Sequence, residues 1–177
     1  MRLEFLGKTY FYRLITTGGF ILINKTYTAD DTANWYLSRN SMSRQKLQKM
    51  VYYAYAWVLT VNNEDVAHLN NRLFSESIMA WVHGPAIPTL SRQYREFGDN
   101  VIPLQEDRVY FPSEISEVLQ EVQDIYGHLS EDQFESIAHE EDPWLLARRG
   151  LTPADTGHAI ISDESIFNYY VQQAEVY

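Results

Sequence analysis

The sequence predicts a mainly α fold: a compact multi-helix domain with a small β element, either a hairpin or short strands. Three observations carry that class. Apolar residues recur at helical spacing in several windows, and Leu47, Met50, Val51, Ala54 and Val58 form the most regular run. Capping residues stand at the heads of these windows, at Thr28, Ser43 and Ser130. The run Ile78 to Val82 is short enough for a strand and leads into His83-Gly84-Pro85-Ala86-Ile87-Pro88, where two prolines fix φ. The length of 177 residues suits one domain with a short extension. Thirteen Tyr, eight Phe and four Trp can fill a core, which sets the chain apart from disordered sequences.

Taken in order, residues 1–26 stand apart as an N-terminal extension. They are aromatic and β-branched, with Gly18-Gly19 before Phe20-Ile21-Leu22-Ile23. A β-hairpin and a poorly packed tail fit equally well, and the extension is expected to be dispensable for folding. The domain proper is expected over residues 27–177. Thr28 with Asp31 caps a first helix whose Ala29, Ala33, Tyr36 and Leu37 share a face. The helix after Ser43 is apolar nearly all round, the pattern of a central, buried helix, and Asn62-Asn63 stops it. A rigid turn is expected over 83–88, then a helix carrying Leu90, Tyr94 and Phe97 and ending at Gly98. Residues 99–112 read as loop or a brief strand. Ile115, Val118, Leu119, Val122, Ile125 and Tyr126 form a stripe closed by Gly127. Ser130 and Gln133 form a capping box, with Leu129 and Phe134 placed as a hydrophobic staple. Asp142-Pro143-Trp144 opens a short helix or turn ending at Gly150, and a final helix carries Ile166, Phe167, Tyr170, Val171 and Ala174.

Charge and composition narrow the function. The net charge is −10, which disfavours non-specific nucleic-acid binding. From Val109 to Ala147 there are ten carboxylates (Glu114, Glu117, Glu121, Asp124, Glu131, Asp132, Glu135, Glu140, Glu141, Asp142) and no Lys or Arg. That run is either a solvated helical face or a lure for a basic partner. Cysteine is absent, so there is no disulfide framework and no thiolate metal site. No apolar run approaches the roughly 20 residues that span a bilayer. A cytoplasmic location is expected.

Catalytic signatures are missing. The chain has no nucleophile elbow, no phosphate-binding glycine loop and no H-E-x-x-H. His83 before Gly84-Pro85 and His139 before Glu140-Glu141 read as structural imidazoles that bond backbone or each other's loops. The competing reading joins them as a metal site or an acid–base pair. His68, His128 and His158 are expected to be exposed. Lys46 and Lys49 read as surface charges beside Gln48, with an anion site as the alternative. Trp81 and Trp144 read as core residues or partner anchors. No catalytic, cofactor-binding or metal-ligating residue is expected.

Three segments then acquire meaning together. They are KLQKMVYYAYAW, Lys46 to Trp57, after the capped helix YTADDTANWYL; ESIMAWVHGPAIPTLSRQYREFG, Glu76 to Gly98; and HEEDPWLLAR, His139 to Arg148, before a terminal helix. In that order and spacing they resemble the Panacea-domain family of phage- and prophage-associated, GepA-like antitoxins, over about residues 27–173. The W-x-x-G-P-x-x-P element beside the first segment makes the match fairly specific. The resemblance implies a mostly helical domain with a small β element. It implies an antitoxin of a toxin–antitoxin system, encoded on a prophage or mobile element, that neutralises a cognate toxin by direct protein binding. A protease adaptor, with a host protease as second partner, or a phage protein binding a host defence factor is the alternative. A hydrolase built on His83, His139 and Glu140 ranks third. No helix-turn-helix module accompanies the domain, so no direct contact with nucleic acid is expected, nor with a membrane. The expected contact patch for the toxin, itself expected to be basic by charge complementarity, comprises Trp81, His83, Gly84, Pro85, His139, Glu140, Glu141, Pro143 and Trp144, on two turns expected to meet in space.

Overall fold

The structure, a computed structural model, describes residues 27–106, 108–152, 155 and 159–175. The expected extension over 1–26 and His158 lie outside the described residues. Among the described residues there are seven α-helices, one 3-10 turn (Arg95–Phe97) and two small antiparallel strand pairs, in agreement with the mainly α class.

Helix α1 (Ala29–Leu37) starts at a full capping box: Thr28 Oγ1 accepts from Asp31 N, and Asp31 reaches back to Thr28 N. A two-residue strand β1 (Met42–Ser43) leads directly into α2 (Arg44–Val61), capped by Ser43. Every residue of α2 from Leu47 to Val61 is buried. Helix α2 is the axis of the domain. Around it pack α1, the short α3 (Pro88–Gln93), α4 (Ser113–Tyr126), α5 (Glu131–Glu140) and α7 (Asp163–Glu175). Helix α6 (Asp142–Ala147) lies outside this ring, against α5 and α7. The amphipathic stripes read from the sequence supply the inner faces: Ile115, Val118, Leu119 and Val122 from α4, and Ile166, Phe167, Tyr170 and Ala174 from α7, are all buried. Ser130 and Gln133 complete the second capping box, and Leu129 and Phe134 are both buried at the staple positions. No helix among the described residues is long and apolar enough to cross a membrane.

The β elements depart from expectation at one point. Strands β2 (Met79–Trp81) and β3 (Gly84–Ala86) form a hairpin in which Ala80 faces Pro85 and Trp81 faces Gly84, so the turn itself is only Val82-His83. Gly84-Pro85-Ala86 is therefore a strand, not part of a rigid turn over 83–88. Proline is tolerated there because Ala80 and Pro85 ask nothing of each other: Ala80 N donates to Ala159 O at 2.9 Å, and Ala80 O accepts from Arg148 Nη1 at 3.0 Å. Residues 159–161 run antiparallel along the far side of β2, with Ile160 opposite Met79. The second pair joins β1 to β4 (Val101–Ile102), the brief strand within the 99–112 loop.

Met50 sits at 0% exposure in the middle of α2, so its truncation removes buried contacts on a helix that every neighbour touches. We expect Met50→Ala to lower stability by about 2–5 kcal/mol in a chemical or thermal melt. An unchanged midpoint would contradict the central placement of α2.

Candidate functional site

The two segments expected to meet do meet, and the contacts that join them are specific. Three side chains from the start and end of α6 and the end of α5 bind three consecutive carbonyls of the hairpin. His139 Nε2 lies 2.9 Å from Val82 O, Trp144 Nε1 donates to Trp81 O at 2.8 Å, and Arg148 Nη1 donates to Ala80 O at 3.0 Å. The three side chains also stack on one another. The His139 and Trp144 ring centroids are 4.1 Å apart at 20°, and the Arg148 guanidinium lies over Trp144 at 5.3 Å. Arg148 is buried and spends its other nitrogen on Thr152 O and Asp155 O. His139 thus bonds backbone in the other segment's loop, as its structural reading holds.

A second set of contacts ties the hairpin to α2. Gln48 grips the Ile87 backbone at both ends, accepting from Ile87 N at 2.7 Å and donating to Ile87 O at 3.1 Å. Lys49 Nζ donates to Pro85 O at 3.0 Å. A Cβ at Gly84, where φ is +101°, would stand 3.0 Å from Lys49 Nζ, so the glycine both permits the backbone and makes room for the ammonium. Lys46 Nζ donates to Gly127 O at 2.6 Å and Leu129 O at 3.1 Å, holding the α4–α5 loop. Neither lysine is the surface charge or anion site that the sequence suggested. Lys49 is 6% exposed, and burial pushes its pKa down to about 8 while Glu135 works in the opposite direction.

Glu141 differs most from its reading as an exposed interface charge. It is 5% exposed and forms the joint between α5 and α6, ending one helix and preceding the other at φ −88° and ψ 132°. Its carboxyl accepts from Tyr53 Oη at 3.2 Å and from Tyr170 Oη at 2.9 Å. Aromatic rings close around it: Tyr53 stacks on Tyr126 at 4.2 Å, and Trp57 meets Tyr170 edge-on at 5.1 Å. Burial pushes its pKa up to about 8, against the downward pull of the two tyrosine hydroxyls. Among the described residues it has no ion-pair partner.

The expected patch therefore divides. Gly84, Pro85, Glu141 and Pro143 are buried, and Trp81, His139 and Trp144 are half-buried. His83 and Glu140 are exposed; His83 Nδ1 lies 3.0 Å from Glu135. Next to them α6 exposes Leu145 and Leu146, and the strand segment exposes Ile160. His68 and His128 are exposed as expected. Among the described residues no group of three or more His, Asp or Glu side chains is arranged to hold a metal ion. The roles of Lys49, Tyr53, Arg148 and Tyr170 in holding the site together are not readable from the sequence, in which Lys49 reads as a surface charge and Tyr170 as one residue of an apolar stripe. One signal pointed to Glu141: Phe134, Ala138 and Glu141 are spaced i, i+4, i+7, so Glu141 continues the buried stripe of α5.

A family model described as Antitoxin SocA-like, Panacea domain, matches residues 47–145. The chain belongs to the Panacea-domain family. No curated protein and no solved structure gives a significant match. The matched Panacea segment runs from Leu47 in α2 to Leu145 in α6 and takes in the hairpin, α3, α4 and α5. Two residues that complete the Panacea scaffold here, Arg148 and Tyr170, lie beyond it.

Glu141 and Lys49 give the domain an unusual pH profile. In the unfolded chain Glu141 ionises near the ordinary carboxylate value, whereas the folded state holds its proton to about pH 8. The folded state then binds more protons across that window, so stability falls as pH rises through it. Lys49 acts in the next window: its folded pKa of about 8 lies below the ordinary lysine value, so stability recovers as pH climbs beyond 8. We expect stability to drop between about pH 5 and pH 8 by on the order of 2–4 kcal/mol. Glu141→Gln, which cannot ionise, should flatten that slope. Parallel slopes for the two proteins would contradict a buried, neutral Glu141.

Proposed function

We propose that this Panacea domain is an antitoxin that neutralises a cognate toxin protein by direct contact. The match of residues 47–145 to the SocA-like antitoxin family carries the reading. The charge distribution supports it. Of the ten carboxylates between Val109 and Ala147, Glu141 alone is buried, so the others give α4, α5 and the start of α6 a negative field. Such a field favours encounter with a basic protein. The contact surface in this reading is the face where the hairpin tip meets the α5–α6 joint. His83 and Glu140 are its exposed members, and Trp81, His139 and Trp144 form the half-buried base beneath them. Gly84, Pro85, Glu141 and Pro143 serve that surface from below by fixing its shape. A surface held this stiffly loses little conformational entropy on binding.

Co-expression with the product of a neighbouring gene in a growth assay tests the reading. Growth should be arrested by the neighbour alone and restored by the pair, and the purified proteins should form a complex without a protease. Glu140→Lys reports on the surface. The variant should melt within about 0.5 kcal/mol of wild type, because Glu140 is exposed. Its affinity for the toxin should fall about tenfold at low salt and less at high salt. Full affinity at both salt concentrations would remove this face from the complex.

A further inference from the structure

Among the described residues, one edge of the small sheet is open. Ala159 O accepts from Ala80 N at 2.9 Å, and Ile161 N donates to Ile78 O at 2.9 Å. Both bonds point inward, toward β2. In an extended segment the residue between two such bonds turns its own N–H and C=O the other way. That residue is Ile160, and among the described residues neither its N–H nor its C=O has a hydrogen-bond partner. Its side chain is 60% exposed. Natural sheets blunt such edges with proline, with charge, or by covering them. Here an apolar, β-branched residue is left uncovered.

The edge borders a groove. Ile160, Leu146, Ala147, Ser165, Asn168 and Glu164 line a cleft of about 380 Å³ between α6 and α7. Its walls are apolar on the α6 side and polar on the α7 side. They carry one carboxylate, Glu164, and no Lys or Arg. The adjacent Asp163 is already engaged, by Arg72 at 2.7 Å and by Tyr55 Oη at 2.7 Å, so it does not compensate any charge that Glu164 attracts.

We propose that this edge and groove receive an extended segment of the partner protein. The segment adds as a strand beside residues 159–161 and exchanges two backbone hydrogen bonds with Ile160. It seats an apolar side chain against Leu146 and Ala147, and it brings a Lys or Arg to Glu164. Backbone pairing supplies the affinity and the groove supplies the selection, as in other cases of strand addition. The negative groove and the acidic face of α4 and α5 make a basic segment the complementary occupant. This inference rests on the protein-binding reading above and names how the partner is held.

Two measurements on the full chain test it. The first needs no toxin. The blocked peptide acetyl-Lys-Leu-Val-Leu-Lys-amide is titrated into isotopically labelled protein and followed by amide resonances. The shifts should concentrate at Ile160, Leu146 and Ser165. Methylation of the central valine nitrogen should weaken binding about tenfold, the loss of roughly one hydrogen bond. An acidic peptide with Glu in place of Lys should bind more weakly still. Absence of shifts at these residues, equal binding by the methylated or acidic peptide, or a dimer of the protein itself formed through Ile160 would overturn the proposal. The second measurement uses the growth assay. Ile160→Pro deletes the outward N–H while the two inward bonds, which belong to Ala159 and Ile161, stay in place. Ile160→Lys places a charge at the mouth of the groove. Both should lose neutralisation while Ile160→Val retains it. If either folded variant neutralises as well as wild type, the edge is not the docking site and the antitoxin reading still stands. If the wild type neutralises nothing, that reading fails and the peptide titration alone judges the edge.

Discussion

A helix buried on every side cannot leave its polar groups to water, and α2 carries several. Gln48, Lys49 and Tyr53 lie on it at buried positions, with Lys46 one turn nearer its start. A buried polar group left unpaired costs roughly 1–3 kcal/mol, against a total stability of about 5–15 kcal/mol for a domain. Each of these side chains must therefore find an acceptor or donor in whatever packs around α2. The partners they find are the backbone of Ile87, the carbonyl of Pro85, the carboxyl of Glu141 and the carbonyls of Gly127 and Leu129. The same contacts that satisfy these four side chains thus fix the positions of the hairpin, the α4–α5 loop and the α5–α6 joint. Remove them, and the surrounding elements keep their own helical or strand tendencies but lose their places.

The second clamp completes the arrangement from outside. His139, Trp144 and Arg148 bind Val82, Trp81 and Ala80 in turn, so β2 is gripped through its carbonyls while Lys49 and Gln48 hold the return strand and its exit. Much of the family signature in this chain is therefore scaffold. The residues of Lys46 to Trp57 and His139 to Arg148 that look most distinctive in sequence mostly touch other parts of the same domain. What the scaffold displays at its surface is the hairpin tip, the acidic outer faces of α4 and α5, and the apolar rim where α6 approaches Ile160, and the proposed reading assigns partner recognition to these. A stiff frame that displays a separate rim accords with the proposed protein-binding role.

What was legible in the sequence was what depends on neighbours in sequence. The capping boxes at Thr28 and Ser130 formed because cap and third residue lie within one turn, and the stripes of α4 and α7 appeared because helical period is local. The pairing of Ala80 with Pro85 was not legible, since a proline in a strand is acceptable only if the facing residue sends its bonds elsewhere, and those bonds go to Ala159 and Arg148 far along the chain. Lys49 looked like a surface charge because nothing nearby in sequence shows that a hairpin will cover it. Glu141 was hidden by its company: within His-Glu-Glu-Asp it reads as one more solvated acid, although its spacing from Phe134 and Ala138 turns it inward.

Gln48, Lys49, Tyr53 and Lys46 of α2 bind the surrounding elements into one cooperative unit. The Ile87 amide reports on it most directly, because it lies between the hairpin and α3 and its hydrogen bond goes to Gln48 Oε1. Native-state hydrogen exchange should find this amide opening only with global unfolding, with the same protection as the central amides of α4. In Gln48→Leu it should exchange by local opening while α4 stays protected. An Ile87 amide that exchanges at loop-like rates in the wild type, orders of magnitude faster than α4, would show that the hairpin is merely laid against α2 and would contradict the account.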